Sequence, residues 1–195
     1  MNSTFWMPIV LLISGWGVYF FLHSLLAANT TKEFFKQFLG KGFRFYRLGY
    51  VALSSIGLLF LLFWNASISS EHLIYHEGTA RYLSLMFAAF GVIVIKVSFR
   101  SYRFSEFVGL STQEEPFTTD GILRSVRHPM YSGTILIAIG YWLFDPTVPT
   151  TVSVICILIY LPIGIYLEER KLIKQFGDRY VQYKRDVPAL IPKLF

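Results

Sequence analysis

Cysteine is almost missing from this chain, because Cys156 is the only one among 195 residues. A single cysteine cannot build a disulfide framework. Charged residues are also scarce: they make up 15% of the sequence, whereas about 25% is usual for a soluble domain. Hydrophobic residues reach 54%, and this excess indicates a membrane protein.

Several common signatures of enzymes are absent as well. The sequence contains no CxxC or HExxH motif, so no metal site is expected. It has no Walker loop, no dinucleotide-binding glycine pattern and no GxSxG nucleophile elbow. The net charge of +6 does not predict nucleic-acid binding, because the basic residues lie in short segments between apolar runs.

Apolar runs dominate what is present. About 20 helical residues cross the hydrocarbon core of a membrane, and five runs are candidates. They cover about residues 5–28, 48–64, 82–99, 129–144 and 151–167, of which the fourth is short. Asp145-Pro146 and Pro149 make a tight turn between the last two, which predicts an antiparallel hairpin. The expected fold is an all-α integral membrane protein with five transmembrane helices in one domain, residues 1–195.

The charges between these runs predict an orientation. Basic residues are concentrated between the first two runs and after the fifth, whereas Glu71 and Glu77 lie between the second and third. The positive-inside rule then places the N-terminus outside and the C-terminus in the cytoplasm. The polar loop of residues 100–127 becomes cytoplasmic too, so three polar segments meet at one face.

The C-terminal tail has the pattern of an amphipathic helix. Its apolar residues recur at helical spacing with lysine and arginine between them: Leu172, Ile173, Phe176, Tyr180 and Tyr183. Such a helix either closes a pocket at the membrane surface or serves as a plain juxtamembrane anchor.

Polar residues of chemical interest flank the predicted hairpin. Arg127 and His128 precede Pro129, which suits the first turn of a helix, and Tyr131 lies on the face of His128. A helix N-terminus with a cation and an imidazole is a good receptor for a carboxylate. The alternative is that Arg127 is a positive-inside residue and Tyr131 an interfacial aromatic.

Two adjacent acidic residues follow the fifth run. The hairpin brings Glu168 beside His128, where a carboxylate suits a ribose hydroxyl, an amine or a sulfonium charge. The alternative is a salt bridge to neighbouring basic residues, Arg127 among them. His23 is an ionisable residue within the first run, and such residues are functional candidates by default.

These stretches resemble a known family. "RHPMYSG", followed by the hairpin and by "EERKLIKQFGDRYVQYKRDVPALIP", is similar to the membrane methyltransferases of the isoprenylcysteine carboxyl methyltransferase and phospholipid methyltransferase group. The ordered pattern covers about residues 121–192. "FLHSLLA" and "SEFVGL" resemble the NnrU-like and methanethiol S-methyltransferase-like branch.

The resemblance implies an S-adenosylmethionine-dependent methyltransferase whose cytoplasmic pocket is closed by the loop and tail, within about residues 111–192. The residues it implies for cofactor binding are Glu115, Pro116, Phe117, Thr118, Leu123, His128, Pro129, Met130, Tyr131 and Glu168. The implied location is the cytoplasmic membrane of a bacterium or archaeon, among membrane lipids.

Two departures from the family bear on the methyl acceptor. Leu123 replaces a tyrosine of the carboxyl methyltransferases, and Gly164 replaces an arginine thought to hold the substrate carboxylate. A small thiol or a neutral lipophilic acceptor is therefore expected, with an isoprenylcysteine-type carboxylate or a phospholipid amine as alternatives. A transporter or other NnrU-like protein without methyl transfer is the non-enzymatic alternative. The candidate catalytic residues are Arg127, Glu169 and His23, and the oligomeric state is left open.

Overall fold

The computed structural model describes residues 3–74, 76–101 and 117–193, and every regular element in these ranges is helical. The all-α expectation is thus confirmed. The helices are α1 (Ser3–Ala27), α2 (Asn29–Leu39), α3 (Tyr46–Ser67), α4 (Thr79–Ser101), α5 (Pro129–Phe144), α6 (Val148–Phe176) and α7 (Asp178–Asp186). Short 3₁₀ turns occupy Gly40–Phe45 and Gly121–Arg124.

Four helical stretches of the described ranges are long and apolar enough to cross a membrane: Trp6–Ala27, Asn29–Ser67, Thr79–Arg100 and Val148–Phe176. Their outer faces carry large exposed side chains, such as Phe63 and Tyr82, which are 75% and 76% exposed. Apolar surface on this scale is covered by lipid in membrane proteins. Helix α5 has only 16 residues, a length of about 24 Å against a hydrocarbon core of about 30 Å.

Helices α5 and α6 form the expected hairpin. Residues 145–147 connect them, and the Trp142 indole donates to Thr151 Oγ1 across the turn at 2.8 Å. Helix α6 extends well past the predicted end at residue 167, so Glu168 and Glu169 lie inside it. The charged residues continue the helix because no breaker occurs before Gly177, whose φ of +59° ends it.

Close backbone contact joins α4 to α5. A Cβ added to Gly91 would lie 2.6 Å from the carbonyl oxygen of Gly133, and one added to Gly133 would lie 2.7 Å from that of Gly91. A Cβ on Gly140 would meet the carbonyl oxygen of Ser84 at 2.7 Å. Small residues permit such approach between membrane helices. Gly133, the last residue of "RHPMYSG", is therefore required for packing.

Asn65 ties together four helices at a distance from the polar face. Its side chain is 2% exposed and donates to Tyr141 Oη at 2.7 Å and to Thr150 Oγ1 at 3.1 Å. Ser153 donates to its oxygen at 2.8 Å, and the Trp16 indole donates to Ser153 at 2.9 Å. A satisfied buried network of this kind fixes the arrangement of α1, α3, α5 and α6.

Replacing Gly133 by alanine is expected to destabilise the protein by about 1–3 kcal/mol, because the new methyl group overpacks the contact between α4 and α5. The thermal unfolding midpoint of the detergent-purified protein should fall. Gly17→Ala is the matched control, since a Cβ there meets nothing within 4 Å. Equal midpoints for the two variants would contradict this account of the contact.

Candidate functional site

The C-terminal segment closes over the start of α5. The backbone N–H groups of Arg127 and His128 each donate at 2.9 Å, to the carbonyl oxygens of Pro188 and Ala189 respectively. The Ser132 hydroxyl donates to Leu190 at 2.6 Å. The stretch before Pro129 is thus held in position on its backbone side, and its side chains point to the end of α6.

A group of ionisable side chains fills this junction, and all of them are buried except that of Lys184, which is 45% exposed. We call Arg127, His128, Glu169 and Lys184 the ion cluster. Arg127 donates to Glu169 Oε1 from Nε at 3.0 Å and from Nη2 at 2.7 Å. His128 Nε2 lies 3.2 Å from the same oxygen, and Lys184 Nζ lies 2.5 Å from Oε2. Glu169 is 5% exposed, so three positively charged or hydrogen-bonding partners compensate one buried carboxylate.

Arg127 also binds the tail through the backbone. Its Nη1 donates to the carbonyl oxygen of Lys184 at 2.9 Å and to that of Val187. One guanidinium therefore connects the mouth of α5, the end of α6 and the end of α7. The charge is 9% exposed, and its contacts are those of a structural clamp.

The neighbouring carboxylate is placed differently. The side chain of Glu168 is 42% exposed, and its Oε2 lies 3.6 Å from Nδ1 of His128. The His128 imidazole, 3% exposed, thus lies between the two glutamates. Of the adjacent acidic residues, Glu169 is buried within the protein and Glu168 is open to a ligand.

Tyr131 occupies the space beside Gly164. A Cβ on Gly164 would lie 3.2 Å from Tyr131 Oη, so the glycine makes room for the phenol. The ring of Tyr131 packs edge-on against His128 with 5.5 Å between centroids. The phenol of Tyr131 therefore lies on the same side of the hairpin mouth as the exposed carboxylate of Glu168.

A cluster of aromatic side chains joins the segment before α5 to the C-terminal tail. Phe117 packs against three aromatic rings at centroid distances of 5.1, 6.3 and 5.8 Å, those of Phe176, Tyr180 and Tyr183. Tyr183 donates to the Leu123 carbonyl at 2.6 Å, and burial raises its pKa to about 12. Burial also raises the pKa of Tyr180. The Tyr180 hydroxyl is the one buried side-chain polar atom without a hydrogen-bond partner in the described part of the chain.

His23 belongs to a second polar group, within the apolar helix α1. Its Nδ1 lies 3.1 Å from Ser54 Oγ, and its Nε2 lies 3.0 Å from Tyr50 Oη. Close by, the hydroxyls of Ser24 and Tyr160 are 2.8 Å apart. We call His23, Ser24, Tyr50, Ser54 and Tyr160 the His23 cluster.

Most of the predicted site residues meet at the mouth of the hairpin. Pro129 is buried there, and Met130 is half-buried in the first turn of α5. Leu123 is 3% exposed under the tail. Thr118 is half-buried, and its Oγ1 accepts from the Asp120 N–H at 3.4 Å. Glu115 and Pro116 lie outside the described residues, and His23 lies apart from the ion cluster.

Sequence reasoning missed some members of the site. Lys184 was one of many basic residues in a cytoplasmic tail, and nothing in its spacing indicates the pairing with Glu169. Tyr50 and Ser54 carry a weak signal, because they are four residues apart in an apolar run and so share a helix face.

The described part of the chain holds no group of three His, Cys, Asp or Glu side chains suited to a metal ion.

Residues 79–179 match the family described as phospholipid methyltransferase. Methanethiol S-methyltransferase 1 of Bradyrhizobium diazoefficiens is 32% identical over 182 residues, covering 87% of this chain and 62% of that protein. The methanethiol S-methyltransferase of Crocosphaera subtropica is 31% identical over 189 residues, covering 90% and 71%. The chain thus spans less than two thirds of the first relative.

A third similarity is restricted to a shorter stretch. The protein-S-isoprenylcysteine O-methyltransferase of Schizosaccharomyces pombe is 39% identical over 75 residues, which is 38% of this chain and 32% of that protein. No solved structure matches the chain.

Replacing Arg127 by glutamine is expected to cost about 3–5 kcal/mol of stability, because it breaks a buried ion pair from one side. The thermal unfolding midpoint should fall, and limited proteolysis should cut the tail after α6 sooner. Arg124→Gln is the matched control, since the side chains of Arg124 and Asp120 form an exposed pair, 75% and 76% accessible. The clamp assignment is wrong if both variants unfold alike.

Proposed function

Because the chain belongs to the phospholipid methyltransferase family of membrane methyltransferases, we propose that it transfers a methyl group from S-adenosylmethionine to a small thiol at the cytoplasmic face of the membrane. The observation that carries the proposal is the position of Glu168 on α6: its carboxylate lies next to the buried imidazole of His128 and is still exposed enough to bind a ligand.

The residues at the hairpin mouth fit the methyl donor. An exposed carboxylate suits a ribose hydroxyl or the cationic part of the donor, and Glu168 provides it. The Tyr180 hydroxyl is buried with no partner among the described residues, so a polar ligand atom there would complete its hydrogen bonding. S-adenosylmethionine bound at this place supplies an electrophilic methyl group.

The proposed donor pocket combines both sides of the mouth. His128, Pro129, Met130 and Tyr131 line it from α5, and Glu168 lines it from α6. Among the described residues, Phe117 and Thr118 close it together with Leu123. Excluding water in this way favours methyl transfer, since donor and acceptor are held in line in a dry site.

Two of the candidate catalytic residues serve this pocket indirectly. Arg127 and Glu169 are bonded to each other and to the tail, so neither is free to accept a proton. They are positioning residues that fix His128 and the backbone before Pro129. His23 is the candidate that lies outside this cluster.

The wall at Gly164 supports a small neutral acceptor. The described structure puts the Tyr131 phenol there, and a carboxylate acceptor buried without a cation would be costly. Two relatives that align over most of the chain are named as methanethiol S-methyltransferases. The isoprenylcysteine relative aligns over 75 residues, so carboxyl methylation is the second candidate.

We further propose five transmembrane helices, with α5 as the fifth beside the four long stretches, and the C-terminus in the cytoplasm. The basic residues of α2 and α7 support this orientation. Local thinning of the bilayer accommodates a short helix such as α5. The location is then the cytoplasmic membrane of a bacterium or archaeon.

This orientation predicts which engineered cysteines react from outside. In a Cys156→Ser background, Glu71→Cys should react with a membrane-impermeant maleimide in intact cells. Arg185→Cys should react only after permeabilisation, because it lies on the cytoplasmic α7. The reverse pattern would contradict the orientation, and an unsubstituted Cys156→Ser protein sets the background.

The donor site is tested by calorimetry. S-adenosylmethionine should bind the detergent-purified protein saturably, and Glu168→Gln should weaken that binding at least tenfold, because one charged hydrogen bond is worth about 1.5–3 kcal/mol. Glu77→Gln is the matched control, since it lies at the other end of the bundle. A folded wild-type protein that does not bind the donor would overturn the proposal.

The acceptor is tested with a panel under the same conditions. Methanethiol should be methylated, and a prenylcysteine or phosphatidylethanolamine should not. Methylation of the prenylcysteine alone would instead establish the second candidate. Donor binding with no methyl transfer to any of the three would reject the acceptor assignment.

A further inference from the structure

A thiol acceptor must lose its proton, and the groups of the ion cluster are all engaged. The thiolate is the nucleophilic form, and an ordinary thiol with a pKa of about 8.5 is mostly protonated at neutral pH. Glu169 is bonded to Arg127 and Lys184, and Glu168 faces the donor pocket. The reaction therefore needs a proton acceptor elsewhere.

The His23 cluster supplies such an acceptor. Within the described contacts, the His23 imidazole is surrounded by hydroxyls: Ser54 Oγ at 3.1 Å from Nδ1 and Tyr50 Oη at 3.0 Å from Nε2. The Tyr50 hydroxyl also lies 3.2 Å from Nδ1, so the phenol faces both ring nitrogens. A neutral imidazole has one unprotonated nitrogen, which can accept the proton of a neighbouring phenol.

Phenols lie between this imidazole and the hairpin mouth. The Tyr131 hydroxyl lies beside Gly164 of α6, which is one helical turn from Tyr160, and the Tyr160 ring lies edge-on to His23 with 6.4 Å between centroids. Tyr50 in turn reaches His23. Polar side chains of α5, α6 and α3 thus lie between the exposed carboxylate of Glu168 and His23.

Charged and titratable groups face His23 from its own helix, from α3 and from α6. Tyr19 stacks on it from its own helix at 5.9 Å between centroids, and Tyr50 approaches from α3. From α6, Tyr160 lies edge-on at 6.4 Å, and the charge of Lys171 acts on the imidazole. Lys171 is itself anchored to the Ala27 carbonyl at 2.7 Å.

We propose that Tyr50 and His23 form the proton path for the acceptor thiol, an inference that rests on the proposed thiol methyltransferase function. The thiol S–H gives its proton to Tyr50 Oη while the Tyr50 proton passes to His23 Nε2. The thiol sulfur then bonds the methyl carbon as that carbon leaves the sulfonium sulfur, which keeps the electron pair. The His23 imidazolium returns its proton to water after the product leaves.

The test uses His23→Gln and Tyr50→Phe in the full-length protein. At neutral pH, kcat/KM for methanethiol should fall by about 10²- to 10⁴-fold in both, the usual contribution of a general base. Wild-type kcat/KM should level off with rising pH, whereas that of the variants should keep rising towards the thiol pKa. Tyr46→Phe is the matched control, since Tyr46 lies on the same helix and donates to the Leu26 carbonyl at 2.8 Å.

An acidic thiol separates proton transfer from a structural role. Thiophenol is largely ionised near neutral pH, so both variants should methylate it at close to the wild-type rate. An equal loss with methanethiol and thiophenol, or an unchanged pH profile, would overturn the proton path. Nitrogen-15 NMR of the histidine-labelled protein, which has four histidines, should show His23 protonated at Nδ1, and protonation at Nε2 would contradict the proposed geometry.

Donor binding distinguishes this proposal from the function on which it rests. Calorimetry should show that both variants bind S-adenosylmethionine as tightly as wild type. If wild type neither binds the donor nor methylates a thiol, the proposed function fails. If wild type does both and the variants match it in rate and pH profile, only the proton path fails.

Discussion

The buried pairing of Arg127 with Glu169 is the interaction on which the site depends. A carboxylate 5% exposed is tolerated only with compensating charge and hydrogen bonds. Arg127 and the imidazole of His128 approach Glu169 from the mouth of α5, and Lys184 approaches it from α7. Each segment is therefore held in place by the same carboxylate. The mouth of α5, the end of α6 and the tail become one unit, although they are far apart in the sequence.

The helical continuation of α6 gives two adjacent glutamates opposite roles. Consecutive residues on a helix point about 100° apart, so Glu169 faces the ion cluster while Glu168 lies at its edge, 42% exposed. His128 contacts both. A rigid structural pair thus positions an open carboxylate, and the proposed donor site is built on a part of the fold that cannot easily move.

The helix bundle contains two separate groups of polar side chains, the Asn65 network and the His23 cluster. Asn65 forms a fully satisfied network with Ser153 and Thr150, whose role is packing between helices. The His23 cluster is nearer to the mouth and consists of groups that exchange protons readily. Hydroxyls and an imidazole that hydrogen-bond one another are tolerated inside a membrane protein, and in the proposed proton path the imidazole is neutral before the acceptor binds.

The sequence alone determined the helical class, the position of the hairpin and the gathering of Arg127, His128 and Glu168 at one face, because apolar runs, prolines and loop charges are local signals. It did not determine that α6 runs through Glu169 to Phe176, since both a helix and a loop accept the charged residues. Nor did it show that Glu169 is buried and Glu168 open, or that Tyr50 meets His23. Those facts depend on how each helix is rotated against its neighbours, and partners 42 and 27 residues apart meet only once the tertiary packing has set those rotations.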